Sequence, residues 1–83
     1  MDIEQLTQKD KYFIAEFVFS FGQNVLIKAD LTNLIDVMIK HNVEGATTVK
    51  LESCAILFLL RKSLDCVARR DIMVQYYKGE LTQ

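Results

Sequence analysis

The chain has 83 residues, of which 51% are hydrophobic and 25% are charged, with no proline and three glycines. This length accommodates one folded domain, and the composition is that of a globular protein with few residues that interrupt helices. The formal net charge of −1 excludes an overall positive field that would hold the chain on nucleic acid or an anionic membrane. We therefore expect a single helical domain over residues 1–83.

The first predicted helix runs over residues 8–21. Thr7 is a suitable N-cap, Asp10 is placed to complete a capping box with it, and Gly22 is expected to end the helix in the left-handed conformation. Apolar residues recur on one side of this helix at Phe13, Ile14, Phe17, Val18 and Phe21. That spacing predicts a stripe that faces the core.

The second predicted helix starts at Asp30, as its N-cap, and runs to about His41. Its core-facing positions follow a spacing of three and four residues and are Leu31, Leu34, Ile35 and Met38. The segment 23–29 before it has no decisive pattern, and helix, strand and loop all remain open.

A connection over residues 42–48 leads to a third helix, which Thr47 or Thr48 would cap. Residues 51–77 are helical in character, as one helix or as two with a bend near 61–64. Residues 54–60 are apolar on all sides, which predicts a helix surrounded by protein, with Ile56, Leu57 and Leu60 in the core. The expected fold is all-α, a compact bundle of three to four helices around this central hydrophobic helix, with residues 80–83 frayed.

Three side chains could suggest metal or thiol chemistry. Cys54 and Cys66 are 12 residues apart, about 18 Å along one helix, which is beyond disulfide reach, and with His41 they give fewer than four zinc ligands. Cys54 lies in the apolar run and is expected to be a buried structural thiol. His41 is expected to have a structural or capping role, with contact to a partner as the alternative. We predict no catalytic residues, no cofactor and no metal, and therefore no enzyme.

Localisation is expected to be cytoplasmic with reduced thiols. Residues 1–20 contain four acidic side chains and lack the pattern of a signal peptide. The longest apolar run has seven residues, whereas a membrane-spanning helix needs about 20. No transmembrane segment is predicted.

Tyr12 and Phe19 lie on the side of the first helix opposite its core-facing stripe. This helix is therefore either sandwiched within the fold, or its second apolar face contacts another protein, including a second copy in a homodimer.

A second candidate surface is basic. Residues 61–83 contain five basic and three acidic side chains, and four of the basic ones are Arg61, Lys62, Arg69 and Arg70. They could bind an acidic partner or a phosphate backbone, or form an ordinary solvated helix face. Nucleic-acid binding is disfavoured because the 42–48 connection is longer than the turn of a helix-turn-helix, and the helix after it is too apolar to read a groove.

The helix-loop-helix formed by residues 31–39 and 51–60 is similar in layout to that of the AsiA anti-sigma factors. The size and the proline-free helical character of the chain resemble those of small cytoplasmic regulators of T-even coliphages, including the lysis-inhibition accessory protein family RIII, which are cytoplasmic antiholins. This resemblance implies a non-catalytic regulator that binds and inhibits one partner protein. The alternative is a transcription regulator of anti-sigma or helix-turn-helix type that uses the basic 61–70 segment.

Overall fold

The computed structural model describes residues 1–83 and contains four α-helices and no β-strand. They are α1 (Gln8–Gly22), α2 (Lys28–Lys40), α3 (Ser53–Ser63) and α4 (Cys66–Tyr77), preceded by a short 3-10 turn at Ile3–Gln5. The predicted all-helical class is confirmed.

Helix α1 begins as predicted. The Thr7 side chain accepts a hydrogen bond from the Asp10 backbone N–H, and the Asp10 carboxylate accepts one from the Thr7 N–H, which completes the capping box. The end of the helix differs from the prediction, because Gly22 is its last helical residue and Asn24 adopts the left-handed conformation, with φ of 57°. The Val25 N–H then bonds to the Ser20 carbonyl and terminates the helix.

Helix α2 starts earlier than predicted, at Lys28, with Ile27 rather than Asp30 as N-cap. Asp30 instead lies in the first turn, where a negative charge is favourable next to the helix N-terminus. Of the segment 23–29, for which helix, strand and loop were all open, residues 23–27 form the connection between α1 and α2, and residues 28–29 belong to α2. Asp10 near the start of α1 contacts Lys40 and His41 at the end of α2, so the two helices are antiparallel.

The segment 51–77 consists of two helices. Helix α3 starts at Ser53, after Glu52 as N-cap, so the prediction that Thr47 or Thr48 caps it is wrong. Helix α4 follows after a break at Leu64 and Asp65, and the Asp65 side chain accepts a hydrogen bond from the Ala68 N–H. This local cap competes with continuation of α3 and explains why two helices form.

The prediction that residues 54–60 are enclosed on all sides is wrong. Ile56, Leu59 and Leu60 are buried, whereas Phe58 is 65% exposed and Leu57 is only partly buried. Helix α3 therefore contributes one face to the core and leaves the other in solvent. Helix α1, in contrast, packs extensively against both α2 and α4.

The core contains fifteen buried apolar residues from all four helices and the segments around them. They are Leu6, Ile14, Ala15, Phe17, Leu31, Leu34, Val37, Met38, Ala46, Ile56, Leu59, Leu60, Leu64, Ile72 and Leu81. The burial of Leu81 contradicts the prediction that residues 80–83 fray. The terminal segment turns back after Gly79, whose φ of 73° permits the reversal, and it packs on the core.

Candidate functional site

A cluster of four aromatic side chains covers part of the surface shared by α1 and α4. It consists of Tyr12, Phe19, Tyr76 and Tyr77, and we refer to it as the aromatic surface. Tyr12 and Phe19 are seven residues apart, or two helical turns, so they share one face of α1. Tyr76 and Tyr77 come from the last turn of α4, which lies against that face.

The rings are in mutual contact. The Tyr76 ring centroid lies 6.0 Å from that of Tyr12 and 5.8 Å from those of Phe19 and Tyr77, and the rings are tilted or edge-on. Phe19 and Tyr77 are 6.3 Å apart. Such distances and angles are those of favourable aromatic pairs. Tyr76 therefore connects the two α1 residues that the sequence places on one face.

Much of this aromatic area remains accessible to solvent. Tyr77 is 69% exposed and Phe19 is 37% exposed, while Tyr12 and Tyr76 are partly buried and pack against the core. The second apolar face of α1 is therefore sandwiched within the fold over one part and accessible to another protein over the other. Helix α4 covers the side of the face near Tyr12, and the side formed by Phe19 and Tyr77 stays open.

Glu16 lies within this surface, one turn after Tyr12. The Tyr12 hydroxyl donates a hydrogen bond of 2.5 Å to Glu16 Oε1. The pKa of Tyr12 is raised to about 12. The largest contribution comes from this hydrogen bond, followed by burial and by the charge of Glu16. Burial followed by the Glu16 charge also raises the pKa of Tyr76. The carboxylate is therefore close to both phenols.

Sequence reasoning identified Tyr12 and Phe19 but missed Glu16, Tyr76 and Tyr77. Glu16 and Tyr12 stand at i, i+4 spacing, a signal that could have found the carboxylate. The sequence carries no local signal for the adjacent tyrosines at the end of α4, because their partners lie more than fifty residues away. Only the packing of α4 on α1 brings them together.

His41 belongs to a different, buried cluster. Its Nε2 lies 2.7 Å from Asp10 Oδ2, and its side chain is only 9% exposed. Lys40 Nζ contacts the same carboxylate at 3.1 Å. The imidazole thus joins the C-terminal end of α2 to the start of α1, and little of its surface is left for a partner.

The four predicted basic residues are divided between two helices. Arg61 and Lys62 are exposed in the last turn of α3, and Lys62 Nζ lies 5.5 Å from the centre of the Phe58 ring. Arg69 and Arg70 belong to α4, where the Arg69 guanidinium donates to Cys66 Sγ at 3.2 Å. Arg70 lies 3.9 Å from Asp71. Two of these four side chains are therefore engaged in local contacts within α4.

Both cysteines are free thiols on the surface. The prediction that Cys54 is buried is wrong, because it lies on the outer face of α3 together with Phe58. An apolar run cannot reveal which side of a short helix is covered by the rest of the fold.

The remaining surface features are shallow. Three open depressions are present, and none is lined by residues of the aromatic surface. No helix has the length and apolar character required to cross a bilayer.

Comparison of the chain with protein-family models, curated proteins and solved structures gives no match.

Proposed function

We propose that this protein is a small, non-catalytic cytoplasmic regulator that binds and inhibits a partner protein through the aromatic surface. The observation that carries the proposal is the open side of this surface, where Phe19 and Tyr77 remain exposed beside a partly buried Tyr76. Aromatic side chains are enriched in protein interfaces, and tyrosine in particular contributes much binding free energy.

The arrangement also favours binding for an entropic reason. The rings of Tyr76 and Tyr77 already contact Phe19, so their conformations are restricted before a partner arrives. A preorganised surface loses less side-chain entropy on association. In line with the resemblance to T-even phage regulators, we propose that the inhibited partner belongs to the lysis machinery and that the protein is an antiholin accessory factor.

The test compares the wild type with two variants in which exposed aromatic residues are replaced by serine. Phe19→Ser with Tyr77→Ser removes the open side of the aromatic surface, and Phe58→Ser removes a similarly exposed aromatic ring on α3. The lysis time of coliphage-infected cells expressing each variant is measured, together with thermal unfolding of the purified proteins. We expect the wild type and Phe58→Ser to delay lysis and the double variant to lose the delay.

The thermal midpoints should stay close to that of the wild type, because exposed positions contribute little to stability. Lysis that is unaffected by the wild type would contradict the antiholin assignment. Equal activity of the double variant and the wild type would instead contradict the role of the aromatic surface.

A further inference from the structure

Glu16 has no cationic partner within the chain. The ion pairs join Asp10 to Lys40 and to His41, and Arg70 to Asp71. Glu16 is nevertheless partly buried and lies beside the phenol groups of Tyr12 and Tyr76. A charge removed from water is costly unless it is paired, so this site is incompletely compensated.

The rings of the aromatic surface also lack a cation. Two lysines of the chain lie over aromatic rings, Lys9 over Phe13 at 5.8 Å and Lys62 over Phe58 at 5.5 Å. Neither of these rings belongs to the aromatic surface. The faces of the exposed rings are therefore free to accept a positive charge from outside the chain.

A second carboxylate acts on the same surface. Besides Glu16, the charge of Asp30 at the start of α2 contributes to the raised pKa of Tyr12, after the larger contributions of the hydrogen bond to Glu16 and of burial. A carboxylate has about four acceptor positions, and the Tyr12 hydroxyl uses one of those on Glu16. The Glu16 carboxylate can therefore still accept hydrogen bonds from a donor on another molecule.

We propose that the aromatic surface binds an arginine or lysine side chain on an amphipathic segment of the partner protein, with Glu16 as its counter-ion and Phe19 and Tyr77 as the rings that receive its charge. This inference rests on the proposed function and specifies the chemistry of the partner. The apolar residues that flank the basic side chain would cover the remaining aromatic area.

A second copy of the chain fits this surface less well. A symmetric dimer formed through it would bring together two Glu16 carboxylates, neither of which has an ion-pair partner in its own chain. The chain does present basic residues beside an exposed ring, at Phe58, Arg61 and Lys62 on α3. They could reach the aromatic surface of another copy only head to tail, which gives rings or open chains of molecules.

The composition of the chain offers a direct optical test. The protein has three tyrosines and no tryptophan, and all three tyrosines belong to the aromatic surface. Tyrosine fluorescence therefore reports on this surface alone. The probe is an acetylated, amidated helical peptide of about 15 residues made of leucine, alanine and arginine, without aromatic residues. Its control contains citrulline, a neutral isostere, at each arginine.

We expect saturable binding of the arginine peptide that is about tenfold tighter than that of the citrulline peptide, and that weakens with salt. Glu16→Gln should reduce the affinity for the arginine peptide by a similar factor. Glu44→Gln, the same change at an exposed carboxylate outside the surface, should have no effect. Unfolding measured by circular dichroism verifies that each variant is folded.

Several outcomes would overturn the inference. They are absence of binding, equal binding of the two peptides, and unchanged affinity of Glu16→Gln. Self-association that Lys62→Gln abolishes would assign the basic side chain to a second copy and would also overturn it. In each case the proposed function is tested independently, by the effect of the Phe19 and Tyr77 variants on lysis.

Discussion

Asp10 is the only charged residue that is buried in the chain. Its carboxylate accepts a hydrogen bond from the Thr7 backbone and contacts the side chains of Lys40 and His41. Burial by itself would raise its pKa, but the hydrogen bonds from His41, Lys40 and Thr7 together outweigh burial and hold the pKa below the ordinary value of 3.8. Asp10 therefore stabilises the fold in its charged form.

The stability that Asp10 contributes depends on pH. Because the pKa is lower in the folded state, this stabilisation is complete above the unfolded pKa near 4 and is lost as the pH falls through the lower folded value. We expect Asp10→Asn to reduce the free energy of unfolding at pH 7 by about 1.5 to 3 kcal/mol, the range for hydrogen bonds to charged groups.

Denaturant unfolding of the wild type and Asp10→Asn between pH 7 and pH 2 tests this prediction. The difference in unfolding free energy should be constant down to about pH 4 and should narrow below it. Asp36→Asn, at an exposed position of α2, is the control and should have little effect. If the difference in unfolding free energy stays constant down to pH 2, the charge of Asp10 does not stabilise the fold.

At the scale of the element, α3 shows how one apolar sequence divides into two faces. Ile56 is fully buried and Phe58, two residues later, is 65% exposed. We expect Ile56→Ala to lower the free energy of unfolding by about 2 to 5 kcal/mol, because it leaves a cavity in the core. Phe58→Ala should change it by less than about 0.5 kcal/mol.

Thermal or denaturant unfolding of the two variants provides the measurement. The comparison is informative because a helix enclosed on all sides would lose several kcal/mol in both cases. A loss of several kcal/mol in the free energy of unfolding of Phe58→Ala would instead support the sequence-based prediction that α3 is enclosed on all sides.

At the scale of the whole molecule, both terminal segments pack on the core. The Met1 amino group donates to the Ser63 carbonyl at 2.9 Å, and Leu6 and Leu81 are buried. The Met1 contact ties residue 1 to the last residue of α3, 62 positions away in the sequence. The terminal residues therefore contribute to stability in a chain whose core is small.

We expect Leu81→Ala to lower the free energy of unfolding by about 2 kcal/mol, at the lower end of the range for a buried leucine. Thr82→Ala, at the exposed neighbouring position, should be neutral. Chemical denaturation measures both. If Leu81→Ala were as stable as the wild type, residues 80–83 would be frayed, as the position after Gly79 suggested.

The helical class, the core-facing stripe of α1 and the capping box at Thr7 and Asp10 can be predicted from the amino-acid sequence alone. These features depend on residues within one or two helical turns, so periodicity and capping chemistry are sufficient to predict them. The same local information placed Tyr12 and Phe19 on one face of α1. Local information does not show whether another helix covers that face.

The exposure of each apolar face and the contacts between distant residues depend on tertiary packing. Packing brings Tyr76 into contact with Tyr12 and Phe19. It leaves Phe58 and Cys54 exposed to solvent and brings His41 into contact with Asp10. Exposure depends on which helices pack together, and the partners concerned are separated by 31 or more residues in the chain. An apolar pattern indicates which residues can be buried. Packing in three dimensions determines which of several apolar faces is covered.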